Sequence, residues 1–202
     1  MSILHDPRVT VRPVSPADYD ALRANELTWT FGGGFRFGGR TPSPDAHIGA
    51  LWNGVLLQSV GVAPLGEELL GLYTCFDADL RHGHASIAVA AQDRHIGSGA
   101  AFVGLGLFIT DLFTEWPFRK LYAQSRAGAY ERFALGAGRL FTVEGRLSDH
   151  HHLNGTTEDT FLLTIDRTAW MAGMGARLRR RAHLLRAGAE ETARKAPRAQ
   201  LG

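Results

Sequence analysis

The chain is expected to fold as an α+β domain, a mixed sheet of about seven strands flanked by helices. Three observations predict this. Strand-like runs at Val55–Val62, 69–77 and His84–Ala90 follow one another across turn sequences, the pattern of an antiparallel meander. A glycine-containing stretch then leads into a segment where Ala101, Leu105, Phe108, Ile109, Leu112 and Trp116 recur at spacings of three and four, one face of a long helix. Further strand-like runs close the chain. At 202 residues and 45% hydrophobic content, it is long enough for one well-buried core and short for two.

In chain order, Val9–Pro13 alternates like a strand. Ser15-Pro16-Ala17-Asp18 then supplies an N-cap, a first-turn proline and an early acid, so a first helix is expected to about residue 26. Residues 29–40 are rich in glycine and aromatics, have neither helical nor strand period, and read as a loop. Ser43-Pro44-Asp45 repeats the cap-and-proline signal, predicting a helix over Pro44–Trp52. After the meander and the long helix, 117–124 reads as a strand and 130–135 as a short helix ended by Gly136 and Gly138. Residues 140–147 and 160–165 are expected to pair around the turn Asn154-Gly155.

The stretch between His84–Ala90 and the long helix reads as an anion cradle. Gly97 and Gly99 allow backbone angles closed to other residues and close ligand approach, and the helix N-terminus behind them offers unpaired N–H groups and partial positive charge. A phosphate or pyrophosphate is the natural occupant. A Walker loop requires Gly-Lys-Ser/Thr, which is absent here. A dinucleotide fingerprint requires glycine or alanine three places after Gly99, where Phe102 stands.

The pattern that does match is Arg94-x-x-Gly97-x-Gly99-Ala100 between a strand and a helix, which resembles the acyl-coenzyme A pyrophosphate loop of the GNAT superfamily of N-acetyltransferases. The opening strand ending in Arg12-Pro13 before a capped helix, and the element order βααβββαβαββ, resemble the same superfamily over residues 8–170. Arg119-Lys120-Leu121-Tyr122, Phe133-Ala134, Gly138-Arg139-Leu140-Phe141, Glu144-Gly145-Arg146-Leu147 and Asp159 look like its ribosomal-protein-alanine acetyltransferase branch. The resemblance implies a strongly twisted sheet with a V-shaped splay between its two central strands. It also implies acetyl-coenzyme A as cofactor and a small-molecule or peptide primary amine as acceptor. The cofactor would lie on the backbone of Val89 and Ala91 and on Arg94, His95, Ile96, Gly97, Ser98, Gly99 and Ala100. Trp29, Phe31 and Phe35 would lie on the acceptor side.

Acyl transfer needs a neutral acceptor amine and a stabilised leaving thiolate. Many members of the superfamily carry glutamate where this chain has Ser86, an asparagine near Ala129, and a tyrosine near Phe133. The candidates for acid–base work here are therefore Ser86 itself, His84, Tyr130 and His151, imidazole being suited to proton transfer near neutral pH. A non-catalytic acyl-coenzyme A-binding or scaffold protein is the alternative reading. His150 and His152 share a strand face, but no acidic or cysteine cluster accompanies them, so no metal is expected.

The remaining sequence sets the boundaries. Cys75 is the only cysteine, which excludes a disulfide framework within the chain. The first residues lack a signal-peptide core and no run is apolar enough to span a bilayer, so a cytoplasmic protein without membrane partners is expected, monomer or homodimer. The net charge is +2, yet Arg177, Arg179, Arg180, Arg181, Arg186, Arg194, Lys195 and Arg198 all fall in the last stretch. Residues 1–175 are read as one acetyltransferase domain and 176–202 as a basic helix or tail. A nucleic-acid partner is not the expected reading of that tail.

Overall fold

The computed structural model describes residues 4–26, 42–64, 68–91, 99–153, 155–178 and 180. Its strands are β1 (Leu4–Asp6), β2 (Val9–Pro13), β3 (Val55–Val62), β4 (Leu69–Asp79), β5 (His84–Ala90), β6 (Lys120–Arg126), β7 (Thr142–Leu153) and β8 (Thr156–Asp166). They form one eight-stranded sheet in the order β1-β2-β3-β4-β5-β6-β8-β7. Every neighbouring pair is antiparallel except β5 with β6, which is parallel. The helices are α1 (Tyr19–Glu26), α2 (Pro44–Trp52), α3 (Ala100–Glu115), α4 (Ala127–Tyr130) and α5 (Arg167–Ala172).

The capping signals act as written. Ser43 Oγ accepts from the Ala46 amide at 3.3 Å with Pro44 at the first turn of α2. Ahead of α1, a 3-10 turn at Pro16–Asp18 follows Ser15, whose backbone amide and hydroxyl donate to Asp18 Oδ2 at 2.7 and 2.8 Å. The Arg12 guanidinium donates to both oxygens of the same carboxylate, each at 2.7 Å, so the end of β2 is clamped to the start of α1. Burial pushes the Asp18 carboxyl upward, but the bonds from Arg12 and Ser15 outweigh it and hold it below its usual range.

Alternation along the strands sends two sets of side chains to opposite faces. On one face α3 packs Phe108, Leu112 and Phe113 against Val9, Tyr73, Ala85, Ile87 and Leu121, all buried. On the other, Leu22 of α1 and Leu51 of α2 cover Val60, Val62 and Leu72. Burying each such side chain contributes about 1.5–3 kcal/mol, so both helical layers are strongly held. α5 closes the outer side of α3, where Trp170 Nε1 donates to Thr110 Oγ1 at 3.0 Å.

Several elements differ from expectation. The sheet gains a strand because the short β1 folds back on β2, pairing Leu4 with Val11 and Asp6 with Val9. The strand expected over 117–124 runs as Lys120–Arg126. Pro117 has no amide to place in a ladder, and the turn before β6 is instead closed by the Arg119 amide donating to the Gly83 carbonyl at 2.7 Å. The helix expected over 130–135 is replaced by α4, which ends at Tyr130, and a separate 3-10 turn at Ala134–Gly136. The closing strands extend to Thr142–Leu153 and Thr156–Asp166, with irregular register at Val143/Gly145 and Leu147/His151. Among the described residues no helix is long and apolar enough to cross a membrane.

Candidate functional site

The two central strands part company. β5 and β6 pair at His84↔Lys120, Ala85↔Leu121 and Ser86↔Tyr122, and there the ladder stops, although β5 continues to Ala90 and β6 to Arg126. Each arm stays anchored on its outer side, β5 to β4 as far as Ala90↔Leu72 and β6 to β8 as far as Arg126↔Thr160. The result is a V whose inner edges carry backbone N–H and C=O groups with no strand between them. Such edges can bind an extended, amide-containing ligand as a ladder would.

At the mouth of the V, Val89 and Ala91 from the β5 side, Ala101 and Phe102 from α3, and Ala129, Arg132 and Phe133 from the α4 region line an apolar pocket. The N-cap of α3 is Gly99 in the left-handed region, φ 71° and ψ −2°, and the first helical bond runs from the Val103 amide to the Gly99 carbonyl at 3.0 Å. A Cβ at Gly99 would meet nothing within 4 Å, so glycine is required there for its backbone angles alone. No acidic residue stands in the first turn of α3 to oppose an anion.

Of the residues predicted for the cofactor, Val89 and Ala91 line the pocket, Gly99 caps α3, and Ala100 is buried in its first turn. Arg94, His95, Ile96, Gly97 and Ser98 lie outside the described residues. So do Trp29, Phe31 and Phe35, and so does the basic tail beyond residue 180.

The catalytic candidates scatter. Ser86 is at the apex of the V, paired with Tyr122 across the last rung. His84 lies two residues back on the same sheet face, away from α3, with its ring edge-on to Tyr122 at 5.7 Å and stacked on His82 at 6.4 Å. Its Nε2 is 4.0 Å from Asp79 Oδ2, while His82 takes the closer contact to that oxygen, Nδ1 at 2.8 Å, and donates its amide to Oδ1 at 2.8 Å. These bonds from His82 hold the Asp79 carboxyl below its usual range. Tyr130 lies tilted on Phe161 at 4.4 Å and edge-on to Phe133 and Phe141, inside an aromatic cluster that reaches the pocket through Phe133 and Phe102. His151 sits on β7 opposite Glu158, and the structure does not bring it to the V, because β8 and β6 lie between.

The pocket also collects residues that sequence reasoning missed. Phe102 and Arg132 join it only because the turn after β6 folds back over the start of α3, a contact between segments 30 residues apart for which no local pattern exists. On the face of β6 away from α3, Lys120 reaches Glu144 at 2.7 Å and lies 6.0 Å from the Tyr122 ring centroid. The hydrogen bond from Lys120 holds the Glu144 carboxyl below its usual range, and Glu144 raises the Lys120 ammonium. Among the described residues no group of His, Cys, Asp and Glu is placed to hold a metal ion.

No family model matches the chain, and no curated protein matches it in sequence. Solved structures do match in fold. A chimera of the Vibrio cholerae spermidine N-acetyltransferase SpeG with hSSAT superposes with a TM-score of 0.68 at 17% identity, over 81% of this chain and 98% of that one. The Vibrio cholerae spermidine N-acetyltransferase in complex with CoA and spermine gives 0.66 at 18% identity, over 82% and 99%. SpeG from the same organism in complex with manganese ions gives 0.63 at 19%, over 82% and 96%. The order of the strands, the V between the two central ones and these superpositions together establish that the chain has the GNAT fold.

Proposed function

We propose that the chain is a coenzyme A-dependent N-acetyltransferase that delivers an acetyl group to a primary amine by direct attack. The observation that carries the reading is the stop in the β5–β6 ladder after Ser86 and Tyr122, opening onto the pocket at the start of α3. The residues present fit coenzyme A. The inner edges of the V suit the amides of its pantetheine arm, the apolar walls from Val89, Ala91, Ala101 and Phe133 suit its alkyl groups, and Arg132 with the N-terminus of α3 suits its phosphates. The loop residues Arg94, Gly97 and Ser98 belong to the same proposed cradle. Acetyl-coenzyme A would supply the activated acyl thioester.

The chain contributes positioning, backbone donors and a proton acceptor. The backbone N–H groups near Val89 on the free inner edge of β5 are placed to stabilise charge developing on an acyl oxygen, often the largest single catalytic contribution. With Ser86 too weak a base, His84 takes the acceptor's proton, since it shares the face of Ser86, is one-third exposed and has Asp79 beside Nε2 to stabilise the imidazolium. Phe133 lines the pocket where a hydroxyl is usual, so its side chain offers no proton to the leaving thiolate. Tyr130, edge-on to Phe133, is the nearest phenol. The acceptor is a small-molecule or peptide amine, and polyamines are the first class to try because the neighbours in fold are spermidine N-acetyltransferases. The second-half motifs leave peptide N-termini, the acceptors of the ribosomal-protein-alanine branch, as the next class.

Calorimetry with coenzyme A and acetyl-coenzyme A tests the cofactor half, and thiol release across spermidine, spermine, amino-acid amides and short peptides tests the acceptor half. Saturable binding and release with one class are expected. Absence of binding to the folded protein refutes the reading, and tight binding without release by any amine identifies a non-catalytic binder.

A further inference from the structure

Tyr73 stands in the middle of β4, paired with Ser59 of β3 on one side and Val89 of β5 on the other. It is fully buried, and its ring stacks on Phe108 of α3 at 5.9 Å and 29°. Its hydroxyl donates to the carbonyl oxygen of Ala101, in the first turn of α3, at 2.9 Å. A buried phenol hydroxyl needs a partner, and this one finds it on backbone rather than on a side chain.

Three glycines from three elements make room for that hydroxyl. A Cβ on Gly104 of α3 would overlap Tyr73 Oη, one on Gly61 of β3 would come within 2.8 Å of it, and one on Gly71 of β4 within 3.2 Å. None of these glycines has a left-handed φ, so close approach rather than backbone angle calls for glycine: at Gly104 the phenol alone crowds the position, at Gly61 the Val9 side chain adds to it, and at Gly71 the Ala90 carbonyl is as close as the hydroxyl. Gly104 in particular lets the helix approach the sheet closely enough for the bond to Ala101. Both residues that Tyr73 joins line the pocket: Val89 is its ladder partner and Ala101 accepts its hydrogen bond.

We infer that Tyr73 is a positioning residue for the cofactor cleft, fixing the height and rotation of the first turn of α3 above β5 and so the separation of the two walls that receive coenzyme A. The inference rests on the coenzyme A reading above. Apolar packing between helix and sheet is non-directional and tolerates sliding, whereas a hydrogen bond to one carbonyl fixes a single register. Binding geometry is sensitive to displacements of about 1 Å.

The test compares Tyr73→Phe, Gly104→Ala and a control, Phe113→Leu, by calorimetric titration with coenzyme A, thermal melting and hydrogen exchange. Tyr73→Phe keeps the ring on Phe108 and removes only the directional bond. It is expected to weaken coenzyme A binding about fivefold and to speed exchange of the amides at the start of α3. Phe113 is equally buried but lies about 18 Å further along the helix. Its replacement by leucine should lower the melting temperature at least as much while leaving the coenzyme A Kd unchanged, a split that a merely structural role of Tyr73 would not produce. Gly104→Ala should weaken binding more than Tyr73→Phe, and by less once Tyr73→Leu has removed the overlap. Wild-type affinity and wild-type exchange in Tyr73→Phe, equal weakening by Phe113→Leu, or additivity of the Gly104 and Tyr73 changes overturns the inference. Failure of the wild type to bind coenzyme A refutes the proposed function instead, and the exchange rates then decide whether Tyr73 holds α3.

Discussion

Replacing Asp18 by asparagine tests the clamp between β2 and α1. In the native chain the Asp18 side chain is 6% exposed and accepts from both terminal nitrogens of Arg12 and from the amide and hydroxyl of Ser15, all between 2.7 and 2.8 Å. The asparagine keeps one acceptor oxygen and turns an amide toward the guanidinium. Hydrogen bonds to a charged group contribute about 1.5–3 kcal/mol, and Arg12 remains 30% exposed, which screens its share. The expected loss is therefore about 2–4 kcal/mol, or a fall in melting temperature of roughly 5–15 °C at about 2–4 °C per kcal/mol for a domain of this size.

The pH dependence has a definite sign. Asp18 titrates below its ordinary value of 3.8 in the folded chain, so the unfolded chain binds the proton more readily. The stabilisation is fully present well above pH 3.8 and is lost as pH falls through the depressed folded value. Melting curves of wild type and Asp18→Asn at steps from pH 7 to pH 3 should show a constant gap down to about pH 5 that narrows below it. A gap under about 2 °C at pH 7, or one that widens on acidification, refutes the reasoning.

Three further substitutions address the site. Gly99→Ala meets no steric obstacle but must hold alanine at φ 71°, so it should cost about 1–2 kcal/mol in a thermal melt and weaken coenzyme A binding, since the first turn of α3 begins there. Ala129→Leu projects new carbons into the pocket from a position that is 7% exposed; calorimetry should show coenzyme A binding lost while circular dichroism stays native. His84→Gln keeps hydrogen bonding but cannot accept a proton, so kcat/KM for the amine should fall about 100-fold, with little change in coenzyme A affinity.

Much of this molecule is written locally. Ser43-Pro44 starts α2 where it stands because a serine cap and a first-turn proline act on their immediate neighbours, and the strand-like runs set off by turn sequences give β3 and β5 their observed bounds. The long helix follows from its own period, and Gly99 from a backbone angle that only a local sequence sets. Signals of this kind need no knowledge of what lies across the sheet. The start of β6 is not written locally: its first rung depends on Gly83, whose carbonyl receives the Arg119 amide from a distant turn. Residues 130–135 do not form one helix because the chain there continues in short turns, such as the Phe133 amide on the Tyr130 carbonyl at 3.0 Å, that set Phe133 against Tyr130 and Phe141.

The site divides along the same line. A resemblance carried by Arg94, Gly97 and Gly99 pointed to coenzyme A, and the parting of β5 from β6 supplies a cleft of the right kind beside the cap of α3. Strand order alone put β8 and β6 between His151 and that cleft, whereas His84 shares the face of Ser86 by simple alternation along β5. No spacing in the chain announces that Arg132 and Phe102 share a pocket, or that Gly61, Gly71 and Gly104 surround one phenol. Those are contacts between segments far apart in sequence, and only the packing of α3 onto the sheet brings them together.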